Sequence, residues 1–137
     1  MQRSFSFESR LSELGSALER IEQLLGEHVV ESDLVAEIRL VAEEGMVNIV
    51  RNAYPEEEGD IEVTLSVNVT EVRIVLRDRG RPFNPLEHPA PDLGIAAGER
   101  PEGGLGVHLI RSLTDDRFYS REGDENVLVL VKRRRVL

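Results

Sequence analysis

The 137-residue sequence has no cysteine and no tryptophan. Disulfides, thiolate metal sites and thiol nucleophiles are therefore excluded, and nothing hints at an oxidising compartment. Long hydrophobic runs are also missing. No apolar stretch approaches the roughly 20 residues of a membrane span, and Met1-Gln2-Arg3-Ser4-Phe5 leads into no hydrophobic signal core. A cytoplasmic address with no membrane partner is the expectation. Positive charge is scarce too: 17 basic residues face 26 acidic ones, for a net charge of −9. Four of the 17 are Lys132, Arg133, Arg134 and Arg135, leaving 13 for the rest of the chain. An acidic body repels a nucleic-acid backbone, so no nucleic-acid partner is expected, and the basic tail reads as a solvated strand end.

What is present suits a packed core. Apolar residues make up 40% and charged residues 31%, a globular balance, and the length fits one domain spanning 1–137. Ser4-Phe5-Ser6-Phe7 alternates at period two and predicts a short edge strand with both rings on one face. Leu11, Leu14, Leu18, Ile21 and Leu25 trace a helical stripe, predicting a helix over about 9–26. That stripe either covers the chain's own sheet or faces a partner. Ser32 and Asp33 are N-cap candidates for a second helix, and Leu34 to Ala53 is free of proline until Tyr54-Pro55 ends it. Ile61 to Val69 and Val72 to Leu76 alternate as an antiparallel hairpin. Proline and glycine then dominate from Arg79 to Gly104, a length of loop that suggests a lid over a site. A helix from Leu105 to near Asp116 and two strands, Arg117–Ser120 and Val127–Val131, complete the chain. This order predicts a two-layer α/β sandwich, a mixed, mostly antiparallel sheet with three helices on one face.

Three places are polar or glycine-rich where packing alone would ask for something else. Glu44, Asn48 and Asn52 fall at i, i+4 and i+8 on one helical stripe, with Arg51 one position off it. Such a row can hold a hydrated divalent cation, and its carboxylate can accept a proton from an attacking hydroxyl; it can equally be a solvated helix face. Asp78 ends an alternating strand on the face of Val72, Ile74 and Leu76, which turns its carboxylate toward the core. There it needs a donor, and a flat heterocycle with an exocyclic amine is one; Gly80 would let such a ring approach the backbone. An ordinary strand-to-turn aspartate is the plainer reading. Gly103-Gly104-Leu105-Gly106-Val107 opens the third helix, where free N–H groups and the helix dipole favour phosphate, although no P-loop or dinucleotide fingerprint is present. His28, His88 and His108 are isolated and read as surface or packing residues.

Taken together and in this order, Glu44 to Tyr54, Asp78 to Pro85 and Gly103 to Asp115 resemble the N, G1 and G2 boxes of the GHKL ATP-binding superfamily. Within it the chain is most similar to the anti-sigma-factor serine kinases of bacterial partner-switching systems. The resemblance implies a Bergerat-type sandwich that binds ATP with Mg²⁺ under a lid at about 83–103. It implies Glu44 as general base, Asn48 as the metal-holding residue and Asp78 as the reader of the adenine amine. Gly80 becomes the close-approach glycine and Gly104, Leu105, Gly106 and Val107 the phosphate cradle, with Arg51, Asn52, Phe83 and Gly103 completing the nucleotide-contacting set. The substrate implied is a serine on an anti-sigma-factor antagonist protein, with a sigma factor or equivalent regulator sequestered and a homodimer as the working unit. Two positions depart from the family: Asn52 stands where histidine is frequent, and Asn84 where aspartate is usual. Histidine kinases and gyrase-like ATPases carry further modules, so a stand-alone domain is expected to act on another protein in trans. The alternative from a different class is a module that binds ATP without catalysis and sequesters its partner, for which a base at position 44 has no use.

Overall fold

Alternation at period two puts the apolar residues of a strand on one face of its sheet. A computed structural model of the chain describes residues 1–28, 30–55, 58–87 and 104–134. Within them β1 (Gln2–Glu8), β2 (Asp60–Val67), β3 (Glu71–Asp78), β4 (Asp116–Glu122) and β5 (Glu125–Arg133) form one sheet in the order β1-β2-β3-β5-β4. Ile61, Val63 and Leu65 of β2, Val72, Ile74 and Leu76 of β3, and Leu128 and Leu130 of β5 point to the covered face, each at most 4% exposed. Glu62, Arg73 and Arg77 occupy intervening positions on the open face.

Every neighbouring pair is antiparallel, which corrects the expectation of a mixed sheet. The reason lies in one connection. From β3 the chain passes through α3 (Gly104–Leu113) to β4 at the far edge, and β5 turns back into the gap. β3 and β4, which run the same way, are thereby kept apart. In β1, Phe5 and Phe7 do share a face, opposite Val63 and Ile61, with ring centroids 6.5 Å apart.

Helices α1 (Leu14–Glu27), α2 (Ser32–Asn48) and α3 cover the apolar face, with α2 central and packed against both others. Ile21, Leu25, Ile38 and Met46 join Leu65, Leu76 and Leu130 in one core cluster, and each such side chain, fully buried, contributes roughly 1.5–3 kcal/mol. Helix α2 can approach this closely because of Gly45, where a Cβ would come within 2.8 Å of Leu76 Cδ1. The first helix starts later than the periodicity predicts. Leu11–Glu13 form a 3₁₀ turn and Leu11 stays 53% exposed. Leu14, Leu18, Ile21 and Leu25 are buried in the chain's own core, so the stripe is not a partner-facing surface.

Further differences sit at element ends. Glu31 precedes α2 as its cap without a side-chain cap bond, and neither Ser32 nor Asp33 takes that place. Helix α3 stops at Leu113, and Pro85–Glu87 interrupt the long loop with a 3₁₀ turn. The basic tail folds back on the chain's own acids: Lys132 pairs with Glu37, Arg133 with Asp116 and Arg134 with Glu31. Arg135 lies outside the described residues.

Candidate nucleotide site

Helix α2 ends unusually. After Asn48 the chain widens into a π-helical segment, Ile49–Ala53, and Tyr54 N donates to Ile49 O across a five-residue step at 3.1 Å. Such widenings recur at functional sites. Two amides are engaged along it: Asn48 Nδ2 donates to Glu44 O at 2.9 Å and Asn52 Nδ2 to Asn48 O at 3.1 Å. With both nitrogens tied to the backbone one turn back, each amide presents its oxygen, the end a hard cation takes. Asn48 is 5% exposed and Glu44 half-buried. Burial pushes the Glu44 carboxyl above the usual carboxylate range; neighbouring Glu43 adds to the effect and Arg51 opposes it. Among the described residues no group of three His, Cys, Asp or Glu could hold a metal. A cation at Asn48 would draw its other ligands from water and a bound group.

At the end of β3, Asp78 faces the covered side as its place in the alternation predicts and is 4% exposed. Its Oδ1 accepts from Gly80 N at 3.0 Å and from Asn126 Nδ2 at 2.9 Å. No described residue donates to Oδ2. Burial raises this carboxyl, while the Asn126 and Gly80 donors and the charge of Arg121 pull it down and Glu125 pushes it up.

The two places meet through the backbone. Arg81 N donates to Ala53 O at 3.0 Å and Arg81 Nε to Asn52 O at 2.6 Å. Gly80 is squeezed into this junction, since a Cβ there would stand 2.4 Å from Ala53 O and 2.7 Å from its carbonyl carbon. The carbonyl of Ala53 is by itself enough to require glycine at position 80. Tyr54 closes the other side: its hydroxyl accepts from Arg79 N at 2.6 Å and donates to Asp60 O at 3.2 Å.

Of the glycine-rich motif, Gly104 to Val107 form the first turn of α3, which packs along α2. Arg111 of α3 donates to Leu86 O, tying that helix to the 3₁₀ turn. Phe83 is half-buried, its N–H on Asn126 Oδ1 at 3.3 Å, and Arg51 is exposed. Gly103, His88 and the expected lid beyond Glu87 lie outside the described residues. On the far side of Asp78, a cleft of about 370 Å³ is lined by Glu58, Asp60, Glu62, Glu125, Arg77 and Arg79 among others. Its wall carries more acidic than basic groups, which disfavours a polyphosphate there.

The histidine kinase-like ATPase domain matches residues 7–132, which takes in all three motifs. The chain belongs to the histidine kinase-like ATPase domain family. Its antiparallel sheet covered by three helices is the Bergerat-type sandwich of that family. The serine-protein kinases RsbW of Bacillus thuringiensis, Bacillus cereus and Bacillus anthracis are similar, each 31% identical over 88 residues, 61% of this chain and 55% of the relative. The chain spans about half the length of these curated relatives.

Sequence reading overlooked Asn126, which joins Asp78, Arg81, Phe83 and Tyr119. A signal existed. In β5, asparagine precedes the apolar run Val127 to Val131, a placement that strand propensity disfavours. Arg121, whose Nη1 donates to Gly80 O at 2.7 Å, carried no such mark.

Proposed function

We propose that this protein is an ATP-dependent serine protein kinase of a bacterial partner-switching system, cytoplasmic and homodimeric. It phosphorylates a small anti-sigma-factor antagonist and sequesters a sigma factor or similar regulator. The observation that carries this reading is Glu44, half-buried with a raised carboxyl, one turn before an asparagine whose amide nitrogen is tied back to the Glu44 carbonyl. A module that only bound nucleotide would need no such base. The likeness to serine-protein kinases RsbW supports the same conclusion.

In this reading Asp78 accepts from the adenine amine, and the N–H groups of Gly104 to Val107 at the start of α3, with Gly103, receive the phosphates. Asn48 holds Mg²⁺ through its amide oxygen, and the bound cation supplies neutralisation of charge on the transferring phosphoryl group. Glu44 takes the serine proton as the Oγ–P bond forms and the bond from the γ-phosphorus to the bridging oxygen breaks. Its raised pKa favours that role, because a base works best when its pKa lies near the working pH.

The test is paired. ATP affinity and phosphate incorporation into a serine-bearing antagonist encoded beside this gene are measured for wild type, Asn48→Ala and Glu44→Gln. Asn48→Ala loses Mg²⁺-dependent ATP binding and labelling together. Glu44→Gln keeps ATP affinity and slows labelling by about a hundred- to ten-thousand-fold, the usual loss for a general base. Labelling by Glu44→Gln at the wild-type rate removes Glu44 from the role. Wild type that binds ATP and labels no antagonist leaves the non-catalytic module in place of the kinase.

A further inference from the structure

Asn126 is 4% exposed, and every hydrogen-bonding position of its amide is filled. Nδ2 donates to Asp78 Oδ1 at 2.9 Å and to Arg81 O at 2.8 Å, while Oδ1 accepts from Phe83 N at 3.3 Å and from the Tyr119 hydroxyl at 2.5 Å. Turned over, the amide would set its oxygen against two acceptors and its nitrogen against the Phe83 N–H. Four partners on three segments thus fix its orientation, and this orientation decides what Asp78 can offer. With Gly80 N also on Oδ1, that oxygen is committed to the protein. Only Oδ2 is left for a ligand.

We infer that Asn126 sets base selectivity at this site, as a positioning residue that holds Asp78 with one oxygen engaged and the other open as a pure acceptor. The inference rests on the nucleotide reading above and adds a determinant to it. An open acceptor welcomes a ring bearing an amine and opposes one bearing a carbonyl at the same place, so a 6-aminopurine is taken and a 6-oxopurine refused. Selectivity holds only while Asp78 is ionised, since a protonated carboxyl donates and would accept the carbonyl. Burial, the Asn126 and Gly80 donors on Oδ1, Arg121 of β4 and Glu125 of β5 act on the charge of Asp78, and Tyr54 beyond α2, bonded to Arg79 N, feels that charge in turn. Asn126 is the donor that a single substitution can reverse.

The experiment compares dissociation constants for ATP and inosine triphosphate, which differ only at the 6-substituent and in the proton that N1 carries beside a 6-carbonyl, for the full chain at about pH 6.5 and about pH 8.5. Wild type prefers ATP by about 30-fold or more at both values, the discrimination expected when a buried acceptor loses its donor. In Asn126→Asp two carboxyls share a proton, so the preference falls by about tenfold or more at the lower pH and recovers at the higher as the proton leaves. Asn126→Thr keeps one hydroxyl donor for Asp78 and retains the wild-type ratio even where its melting temperature drops. A folded Asn126→Asp with the wild-type ratio at both pH values overturns the inference while leaving the nucleotide reading intact. Wild type that binds neither nucleotide overturns both. Should Asn126→Asp fail to fold, Tyr119→Phe removes the hydroxyl that orients the amide from β4: a several-fold fall in the ratio supports the inference, and an unchanged ratio overturns it.

Discussion

Burial makes an ionised Asp78 costly to the folded chain. Because burial raises its carboxyl above the ordinary 3.8, the folded state holds the proton more tightly than the unfolded chain does. The associated stability is intact below the unfolded value and is lost as pH rises through the folded one, so at neutral pH the ionised group is a net burden. Asp78→Asn keeps an oxygen for Gly80 N and Asn126 Nδ2 while removing the charge. The apo variant is therefore expected to melt a few degrees higher than wild type at pH 7, about 3–5 °C for each kcal/mol relieved. It is also expected to lose the ATP-induced rise in melting temperature, because its new amide nitrogen meets the adenine amine donor to donor. Scanning calorimetry with and without Mg-ATP reads both effects, and a lower apo melting temperature contradicts the argument. The position of Asp78 was legible because alternation fixes which face a strand residue takes. Asn126 was marked only by its odd place before an apolar run, and what it holds was not legible, since its partners Asp78, Arg81 and Phe83 stand more than 40 positions away.

At the scale of elements, two glycines of the expected N and G1 segments separate by what surrounds them. Gly45 faces the tips of Leu76 and Leu128, which can turn aside, and alanine adds about 1 kcal/mol of helix propensity there. Gly80 faces the carbonyl of Ala53, which cannot move without breaking the bond from Arg81 N. Gly45→Ala should therefore change unfolding free energy by less than about 1 kcal/mol, whereas Gly80→Ala should cost about 3 kcal/mol, at the upper end for overpacking. Urea denaturation of both variants checks this, and equal costs would mean the junction yields. The hairpin of β2 and β3 was legible from Ile61 to Leu76 because one buried face imposes period two. The 3₁₀ start at Leu11 and the π-helical end at Ile49 were not, because 3.6-residue periodicity runs through both without a break. The backbone reason for Gly80 was not legible, because close approach by backbone and close approach by ligand leave the same residue in the sequence.

For the whole molecule, the helical stripe of α1 settles how a partner can and cannot attach. Leu18 is 3% exposed inside the core and Leu11 stands 53% exposed outside it. Leu18→Asp buries an unpaired charge and is expected to abolish cooperative folding, while Leu11→Asp should leave the melting temperature within about 2 °C of wild type. Light scattering on Leu11→Asp then asks whether the proposed homodimer depends on this end of α1; a shift to monomer would show that the one exposed leucine of the stripe serves the assembly. Layer architecture and element order followed from periodicity, since burying one face of a sheet under amphipathic helices leaves few arrangements. The absence of any parallel pair did not, because it depends on where β4 lands after α3, and nothing in the strands themselves records that.

The five-residue step at Tyr54 has a last consequence, for the length of the chain. A helix that closes this way carries one residue more than an α-helix of the same height, and the surplus sets the angular phase of all that follows. Removing any single position from Ile49 to Ala53 would let the α-helix run on and rotate the next residues by about 100°. A deletion before Asn52 would cost it Asn48 O and swing Ala53 from Arg81, and any of the five would swing Tyr54 from Arg79. Among chains that keep this junction, insertions and deletions should be absent from these five positions even where the side chains drift.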